Sequence, residues 1–599
     1  MLVPMSRRLR ITHGEPPEAD LVARRVGDLR RALGLGFDHV ALDLREGLDA
    51  DALAAAQGFV RRGGELTVVA PQRRPEALAV WPHAREEVGD RLWRRVVETV
   101  PLSPSPAAGP SQAAVVDALR GAWAGPRSLD VLLARRGRGK SAALGLAALD
   151  QPGVVLTAPR RQAASEVLRF APDLAFTPLD EALCGTGARV LLIDEAAQLS
   201  VPVLQALVER HPDAHLAFAT TTEGYEGTGR GFVLRFLRWL EAHGEVRRHR
   251  LTRPMRWDPG DLLEARLDRA LCLDAWPAPA EAVADATAAA CTHRVEDRDQ
   301  LAADGARLRE LFGLLAHAHY RTTPADLHRL LDAPNLAVHT LSFRDHVVAT
   351  CVVAREGGLP DHTARQMVRG RLRIRGHALA DTLVTHAVRP DAAGLRMVRS
   401  VRIATHPSLH RRGLASALVE AVHATWQPDL FGTLFGATPE VVRFRERLGY
   451  RLVRVGSARG ERTGEPSVVM VRPCSEAAEA LVRELRGELG HNLPLQRQLQ
   501  AAEHPGIPAP AFEQPEPGAW GPERVEQVVR AYLDGAVHHE AVAWALRAHV
   551  EGRDLSALSP ADADLVRKRV LELRSWREAA GPRTVRHAQK ALRAAIGRL

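Results

Sequence analysis

Lysine is nearly absent from this chain of 599 residues, and the position of one lysine constrains the fold more than any other feature. Of 81 lysine and arginine side chains, only Lys140, Lys568 and Lys590 are lysine. Lys140 lies in the loop ARRGRGKSA, between an apolar run that predicts a strand and a small-residue run that predicts a helix. This arrangement is typical of a phosphate-binding loop, although Ala134 replaces its usual first glycine. Because a compact ammonium suits that role better than a planar guanidinium, the retained lysine favours phosphate binding over a chance basic turn.

The loop also predicts a magnesium-dependent nucleotide site. Backbone N–H groups of residues 137–141 would surround the phosphates, Lys140 would reach the β and γ oxygens, and Ser141 would hold Mg²⁺. About fifty residues later, an apolar run ends in Asp194 and Glu195. These two acids are expected to bind Mg²⁺ and to polarise the water that attacks the γ-phosphate, respectively.

A second strand, loop and helix pattern occupies residues 400–420, SVRIATHPSLHRRGLASALVE. The free N–H groups at the start of such a helix favour a pyrophosphate. Gly413 would let phosphates approach the backbone, and Ala415 is too small to block them. The spacing resembles the acyl-CoA loop of GNAT acetyltransferases, with His410 where glutamine or arginine is usual. An ordinary basic turn before a surface helix is the alternative.

The chain is too long for a single core, and its patterns predict an α/β protein of four domains. The Pro/Ser-rich stretch at 101–111 is a predicted linker. The predicted domains are a doubly wound α/β domain at 1–105, a RecA-like P-loop ATPase domain at 106–295, a GNAT acetyltransferase domain at 296–474, and a helical tail domain at 475–599.

Composition narrows the functional class. No run approaches about 18 consecutive apolar residues, so we expect no membrane span and no membrane partner. Five scattered cysteines without paired spacing suit a reducing cytoplasm and argue against a zinc site. The sequence therefore predicts a cytoplasmic protein, and it shows no obligatory protein partner.

Positive charge is concentrated at the C-terminus. Residues 566–599 contain ten lysines and arginines and two acids, a net +8 of the chain's formal +9. This concentration predicts RNA binding, with a solvated basic tail as the alternative. The predicted RNA-binding residues are Arg567, Lys568, Arg569, Arg586 and Lys590. A second basic stretch, RLRIRG, would place Arg371, Arg373 and Arg375 on one face if extended, and we interpret it as a solvated strand rather than an RNA contact.

Several stretches together resemble the bacterial tRNA(Met) cytidine acetyltransferases, over nearly the whole chain. They are ARRGRGKSA, LLIDEAAQL, GYEGTGRGF, RPMRW, AHYRTTPADL, RIATHPSLHRRGLASAL and TPEVVRFRERLGY. The resemblance implies acetylation of N4 of the wobble cytidine of elongator tRNA(Met) by acetyl-CoA, supported by hydrolysis of ATP or GTP.

The resemblance also assigns site residues. ATP contacts fall to Gln112, Gly137, Arg138, Gly139, Lys140, Ser141, Ala142, Ala143, Leu144, Gly145 and Arg256, beside Asp194. Acetyl-CoA contacts fall to Ile403, Ala404, Thr405, His410, Arg411, Arg412, Gly413, Leu414, Ala415, Ser416, Glu440 and Arg447. Many GNAT enzymes carry a tyrosine four residues before the glycine of the last helix, where this chain has Arg445. The acid and base for acetyl transfer stay open between Glu440, His406 and a water.

Two other functions fit parts of the pattern. One is a GNAT acetyltransferase that acts on a protein lysine or another amine and is regulated by its ATPase. The other is an RNA-remodelling ATPase with an accessory GNAT fold. Acetylation without RNA would favour the first, whereas the intact loop at Gly413 argues against the second.

Overall fold

The computed structural model describes residues 6–32, 35–98, 110–135, 137–221, 236–319, 322–459, 465–503 and 512–599. The chain divides into two compact units, Met1–Cys351 with Arg402–Ala415, and Val352–Val401 with Ser416–Leu599. The stretch GYEGTGRGF, which contributes to the family resemblance, and most of the predicted linker lie outside the described residues. The four-domain division stays a prediction.

The first unit begins with a small parallel sheet in the order β1-β4-β3-β2. Its strands are β1 (Arg8–Thr12), β2 (Leu21–Ala23), β3 (Phe37–Asp43) and β4 (Val60–Val69), and its helices are α1 (Val26–Arg30), α2 (Ala50–Ala56) and α3 (Arg91–Val97). The apolar ends of β3 and β4 are buried, as expected for parallel strands covered by helices. This confirms the predicted alternation of strands and helices at the N-terminus.

The next sheet has six parallel strands in the order β10-β5-β9-β8-β6-β7. The strands are β5 (Leu129–Ala134), β6 (Val154–Thr157), β7 (Ala175–Phe176), β8 (Val190–Ile193), β9 (His215–Thr221) and β10 (Val246–Leu251). The accompanying helices are α4 (Gln112–Trp123), α5 (Lys140–Ala148), α6 (Ser165–Phe170), α7 (Leu179–Ala182), α8 (Val201–Arg210), α9 (Arg238–Ala242) and α10 (Leu262–Leu271). Because the strands are parallel, the residues that follow β5 and β8 lie at the same edge of this sheet.

A third sheet contains two strands, β13 and β14, that each run from one unit into the other. Within the first unit the strand order is β11-β12-β13-β14, and within the second it is β13-β14-β15-β17-β16. The strands are β11 (Thr292–Val295), β12 (Leu336–Phe343), β13 (His346–Gly357), β14 (Arg396–Thr405), β15 (Leu430–Gly436), β16 (Arg451–Arg459) and β17 (Pro466–Pro473). The helices are α11 (Arg298–Ala303), α12 (Gly305–Ala318), α13 (Pro324–Asp332), α14 (Asp361–Val368), α15 (Ala378–Asp381), α16 (Leu414–Thr425) and α17 (Pro439–Arg447).

The second unit ends in a helical region. Its helices are α18 (Glu476–Glu503), α19 (Pro522–Leu533), α20 (Ala543–Val550), α21 (Pro560–Val566), α22 (Trp576–Ala580) and α23 (Val585–Ile596). Buried side chains of this region, including Tyr532, Trp544 and Trp576, form one apolar core. No helix in the described part of the chain is long and apolar enough to cross a membrane.

Candidate functional site

The loop between β5 and α5 has the backbone conformation that the sequence predicts for a phosphate-binding loop. Gly137 and Gly139 adopt left-handed φ values of 77° and 76°. A β-carbon on Gly137 would lie 2.5 Å from the ring of Trp257, and one on Gly139 would collide with the side-chain amide of Gln112. Both positions therefore require glycine for conformation and for space.

Lys140 lies at the start of α5 and contacts the two acids that follow β8. Its Nζ is 3.6 Å from Asp194 Oδ1, 3.3 Å from Ser141 Oγ, and within ion-pair contact of Glu195. Asp194 is fully buried and its Oδ2 has no hydrogen-bond partner among the described residues. Burial raises the pKa of Asp194, and the charge of Lys140 opposes that rise. The structure thus brings together the lysine, the serine and both acids that the sequence predicts.

These residues fit a nucleotide with its magnesium ion. The unpartnered oxygen of Asp194 and the Ser141 hydroxyl are hard oxygen ligands of the kind Mg²⁺ prefers. Further along α5, the side chains of Ala142, Ala143 and Leu144 are buried in the core. A β-carbon on Gly145 would lie 2.5 Å from the Val167 carbonyl oxygen, so that glycine permits close helix packing. Any nucleotide contact from residues 142–145 would therefore come from the backbone.

The remaining predicted nucleotide residues lie around the same loop. Gln112 Nε2 donates to the Gly139 carbonyl oxygen at 2.8 Å, which places the amide beside the loop. Arg138 is buried, and its guanidinium donates to Glu264 at 2.6 Å. Arg256 donates to the Gly58 carbonyl oxygen at 3.4 Å, and its contact with nucleotide stays a prediction.

Trp257 is a loop-supporting residue that the sequence reasoning missed. Its ring packs against Gly137, and the guanidinium groups of Arg7 and Arg138 lie 3.8 and 5.7 Å from the ring centroid. Its Nε1 donates to Glu264 at 2.9 Å. Trp257 belongs to the RPMRW stretch, but no local pattern there marks its contact with a loop 120 residues earlier.

The strand predicted to bind acetyl-CoA is β14, and its pairing with β15 ends before β14 itself ends. The parallel ladder with β15 joins Met397–Ser400 to Leu430–Thr433, whereas β14 continues to Thr405. Ile403, Ala404 and Thr405 therefore lie beyond the rungs of this ladder. On the β15 side these residues have no ladder partner, so backbone groups on that side can pair with an extended ligand, as the acetyl-CoA prediction requires.

The loop that follows β14 is exposed from His410 to Gly413. Gly413 adopts a φ of 81° with nothing within 4 Å of a β-carbon built there, and Leu414 begins α16. Arg411 is also left-handed, with a φ of 64°. Arg412 donates to the Ala284 carbonyl oxygen at 2.6 Å. The loop thus presents a helix N-terminus and basic side chains to solvent, which suits a pyrophosphate.

Other predicted acetyl-CoA residues have mixed surroundings. Leu414 is buried, whereas Ala415 and Ser416 are half-buried. In the second unit, Glu440 and Arg447 are exposed on α17. Their acetyl-CoA contacts stay predictions.

Arg445, at the position where many GNAT enzymes have a tyrosine, is buried in the second unit. Its Nη2 donates to Ser400 Oγ at 3.1 Å, and its guanidinium carbon lies 5.2 Å from the centroid of the Tyr450 ring. Ser400 is the last residue of the β14–β15 ladder.

Two histidines near β14 differ in availability. His406 is buried, its Nδ1 lies 2.8 Å from Ser408 Oγ, and its Nε2 lies 2.8 Å from the Ala278 carbonyl oxygen. Both nitrogens are therefore occupied, which argues against His406 as a base. His319, which the sequence reasoning did not select, interacts with the backbone of Ile403, and its Nε2 has no partner among the described residues. Burial, and then the charge of Arg402, lowers the pKa of His319 to about 4, so the imidazole is neutral at pH 7.

The predicted RNA-binding residues at the C-terminus separate into three groups. Arg569 is fully buried and pairs with Glu503 at 2.8 Å and Glu540 at 2.5 Å, so the prediction that it contacts RNA is wrong. Arg567 and Lys568 both pair with Asp564. Arg586 and Lys590 are exposed on α23 and form no ion pair within the described residues.

Family models match three parts of the chain. The model described as RNA cytidine acetyltransferase NAT10/TcmA, helicase domain, matches residues 131–177 and 171–274. The model described as GNAT acetyltransferase 2 matches residues 310–430. The model described as tRNA(Met) cytidine acetyltransferase TmcA, N-terminal, matches residues 5–99.

Curated relatives match most of the chain. The tRNA(Met) cytidine acetyltransferase TmcA of Nitrosococcus halophilus is 35% identical over 642 residues, which cover 92% of this chain and 84% of the relative. The TmcA of Haloarcula marismortui is 36% identical over 76% of this chain and 69% of its own length. The TmcA of Salmonella typhimurium is 33% identical over 76% of this chain and 71% of its own length.

The matched regions contain the two loops described above. The helicase-domain match includes Lys140 and the Asp194–Glu195 pair, and the GNAT match includes β14, Gly413 and His319. Similarity at this level extends over nearly the whole length of both sequences. The chain therefore belongs to the tRNA(Met) cytidine acetyltransferase family.

Proposed function

We propose that this protein acetylates N4 of the wobble cytidine in elongator tRNA(Met), with acetyl-CoA as donor and with hydrolysis of ATP or GTP supporting the reaction. The observation that carries the proposal is the presence, in one chain of this family, of two loops: a glycine-shaped loop around Lys140, and a loop after β14 in which Gly413 directly precedes helix α16. In this proposal residues 106–295 act as a RecA-like ATPase, and the helical tail contributes to tRNA binding.

The proposed ATPase chemistry rests on four side chains. Lys140 and Ser141 would hold phosphate and Mg²⁺, Asp194 would complete the magnesium site, and Glu195 would orient the attacking water. Lys140 now pairs with Glu195 and lies near Asp194, so nucleotide phosphates would compete with these acids for its ammonium group. That exchange gives a physical link between nucleotide binding and release of Glu195 for catalysis.

The acetyl-transfer chemistry explains why an ATPase is useful. The exocyclic amine of cytosine is conjugated with its ring and lies in the base stack, so the base must be turned out before it can attack. Unstacking costs a few kcal/mol, an amount that nucleotide-driven remodelling of the RNA can supply. Ile403 to Thr405 would position the donor through backbone hydrogen bonds, and the neutral His319 beside Ile403 is our candidate to accept the amine proton.

The test is an acetylation assay with labelled acetyl-CoA, ATP and total tRNA, followed by digestion to nucleosides. We expect label in N4-acetylcytidine from elongator tRNA(Met). Label in protein lysine or a free amine without RNA would instead support the alternative acetyltransferase. No acetyl transfer to any acceptor by a folded protein that binds acetyl-CoA would reject the proposal.

Two variants separate the steps. Lys140→Ala should abolish nucleotide hydrolysis and acetylation of folded tRNA while acetyl-CoA binding is retained. The control Arg530→Ala removes one cation of an exposed ion pair on α19 and should leave all three unchanged. His319→Ala should lower the rate of acetyl transfer without changing nucleotide hydrolysis.

A further inference from the structure

A basic segment of the second unit has its arginines on one side. Between Asp361 and Asp381 the chain contains five arginines and no acid. These are Arg365, Arg369, Arg371, Arg373 and Arg375, which we call the insertion surface. All five are exposed, whereas the intervening Leu372 and Ile374 pack against the apolar core of this unit. The alternation expected of an extended segment is thus observed, although residues 371–375 join no sheet.

The insertion surface is not neutralised by the protein. Arg373 pairs with Asp381 at 2.9 Å. Within the described part of the chain, Arg365, Arg369, Arg371 and Arg375 form no ion pair or side-chain hydrogen bond. The five neighbouring arginines repel one another, because Asp381 neutralises only one of them. An anion bound across them therefore lowers the electrostatic free energy.

Arg454 adds a sheltered cation to this region. It lines a small solvent-open cleft of about 40 Å³ whose walls are mainly apolar and include Leu485, Val528 and Trp544. The acid of the cleft, Glu488, is bound to Arg524 at 2.8 Å. The side chain of Arg454 forms no ion pair or hydrogen bond with the described residues, and burial lowers its pKa to about 10.

Arg454 and the insertion surface act on a common neighbour. Burial, and then the charges of Arg454 and Arg373, lower the pKa of His386 to about 4. His386 and Arg454 line the same cleft, and Arg373 pairs with Asp381, which lies five residues before His386 in the chain. A half-buried guanidinium without an acid is unfavourable unless an anion supplies the missing partner.

We propose that the insertion surface, together with Arg454, binds backbone phosphates of the RNA substrate. This inference rests on the proposed function, because it names where the RNA would be held. Guanidinium groups form paired hydrogen bonds with phosphate oxygens, and exposed arginines on one side of a segment can follow successive phosphates of one strand. Such contacts fix the position of the RNA without reading its sequence.

The experiment measures tRNA affinity for the full-length protein over a series of salt concentrations, without acetyl-CoA or nucleotide. The double variant Arg371→Gln/Arg375→Gln removes two unpaired charges and leaves the Arg373–Asp381 pair intact. We expect weaker binding and a loss of about 1.4 to 1.8 from the slope of log affinity against log salt, at about 0.7 to 0.9 per phosphate contact. The matched control Arg567→Gln/Arg574→Gln removes two exposed charges that are paired with Asp564 and Glu572, and its slope should change by less than half as much.

Arg454 is tested by Arg454→Gln and Arg454→Lys, with unfolding midpoints measured for both. We expect Arg454→Gln to weaken tRNA binding and Arg454→Lys to retain the salt slope of the unmodified protein. Inorganic phosphate is added in a separate titration. If it binds at Arg454 while tRNA affinity is the same in the folded Gln variant, the cleft is a free-phosphate site and the inference fails there.

The outcomes distinguish this inference from the proposed function. If the unmodified protein binds no tRNA and acetylates none, the proposed function fails first. If it binds and acetylates tRNA but the Arg371→Gln/Arg375→Gln variant has an unchanged salt slope, only the inference is rejected. An equal loss in the control variant also rejects it, because the effect would then follow total charge rather than this surface.

Discussion

The two basic regions of the second unit differ in how their charges are used. The C-terminal stretch at 566–599 has the larger net charge in the sequence, but many of its cations are paired. The pairs are Arg567 and Lys568 with Asp564, Arg569 with Glu503 and Glu540, Arg574 with Glu572, and Arg583 and Arg598 with Asp562. On the insertion surface, the corresponding pairing is limited to Arg373 with Asp381 among the described residues.

This difference shows that the net charge of a sequence segment does not predict where the folded protein has a surface of unpaired cations. Most acids that neutralise the C-terminal stretch lie outside it, at Glu503, Glu540, Asp562 and Asp564. Folding brings these acids to the basic helices, and Arg569 becomes a core residue over the Trp576 ring. The RLRIRG stretch, which the sequence analysis interpreted as a solvated strand, is the region that keeps its charges available.

Arg569→Ala should have the largest effect on stability. The change leaves Glu503 and Glu540 without their buried cation, and losses of about 3–5 kcal/mol are typical when one partner of a buried pair is removed. Urea unfolding followed by tryptophan fluorescence measures the loss. The control Arg567→Ala removes an exposed partner of Asp564 and should cost less than about 1 kcal/mol. If the Arg569→Ala variant had normal stability and weaker tRNA binding, Arg569 would contact RNA after all, contrary to what its burial indicates.

Acidification should lower the unfolding free energy through His386, which lines the cleft that contains Arg454. The pKa of His386 is about 4 in the folded chain and about 6.5 when unfolded, so only the unfolded chain is protonated between these values. Stability from this group is full above about pH 6.5 and falls by about 1.4 kcal/mol per pH unit as pH decreases towards 4. His386→Asn should flatten unfolding free energy against pH in this range. In the C-terminal core, where burial also lowers the pKa of His539, His539→Asn should change the profile in the same direction. If the His386→Asn variant had the same dependence of unfolding free energy on pH as the unmodified protein, the lowered pKa of His386 would be contradicted.

Within the C-terminal stretch, the unpaired cations should matter more for RNA than the paired ones. Arg586→Gln/Lys590→Gln removes two exposed charges of α23, and the salt slope of tRNA binding should fall by about 1 to 2 if both meet phosphates. Arg567→Gln/Lys568→Gln removes two charges that share Asp564 and should give a smaller change. If the two variants had equal salt slopes of tRNA binding, ion pairing with acids of the folded chain would not decide which cations contact RNA.

Arg530→Gln should give the smallest effect. Arg530 and Glu526 form an ion pair on α19 with 72% and 68% of their side chains exposed. Exposed pairs of this spacing contribute no more than about 0.5 kcal/mol, because water and salt screen both charges. Unfolding free energy and tRNA affinity should both match the unmodified protein. A clear loss of tRNA affinity would extend the RNA-binding surface to α19 and weaken the contrast drawn here.

The nucleotide loop was predictable because its chemistry depends on neighbours in the sequence. The strand before it, the left-handed glycines, Lys140 and the start of α5 occupy one short segment. Asp194 and Glu195 were predictable because an acid pair at the end of a buried parallel strand lies at the same edge of the sheet. The strand and loop at Ile403 to Gly413 were predictable, like the nucleotide loop, because their pattern lies within one short segment of sequence.

Contacts between distant segments were not predictable. Trp257 supports Gly137 from 120 residues further along the chain, and no local pattern marks that contact. His319 became a candidate base only when its unpartnered Nε2 and its interaction with Ile403 were observed. His406, considered from the sequence, has both ring nitrogens occupied.

The sequence by itself determined the positions of the loops at Lys140 and Gly413, the order of strands and helices around them, and the resemblance to a family. Glycines, small residues and apolar periodicity specify these features because they act over a few neighbouring residues. The tertiary structure alone decided which charges stay free. Arg569 and Arg371 are the same residue type in equally basic stretches, yet one is buried against Glu503 and Glu540 and the other is exposed without a partner among the described residues. The physical reason is that an ion pair depends on distance through space, and the chain must fold before acids far along the sequence reach their arginines.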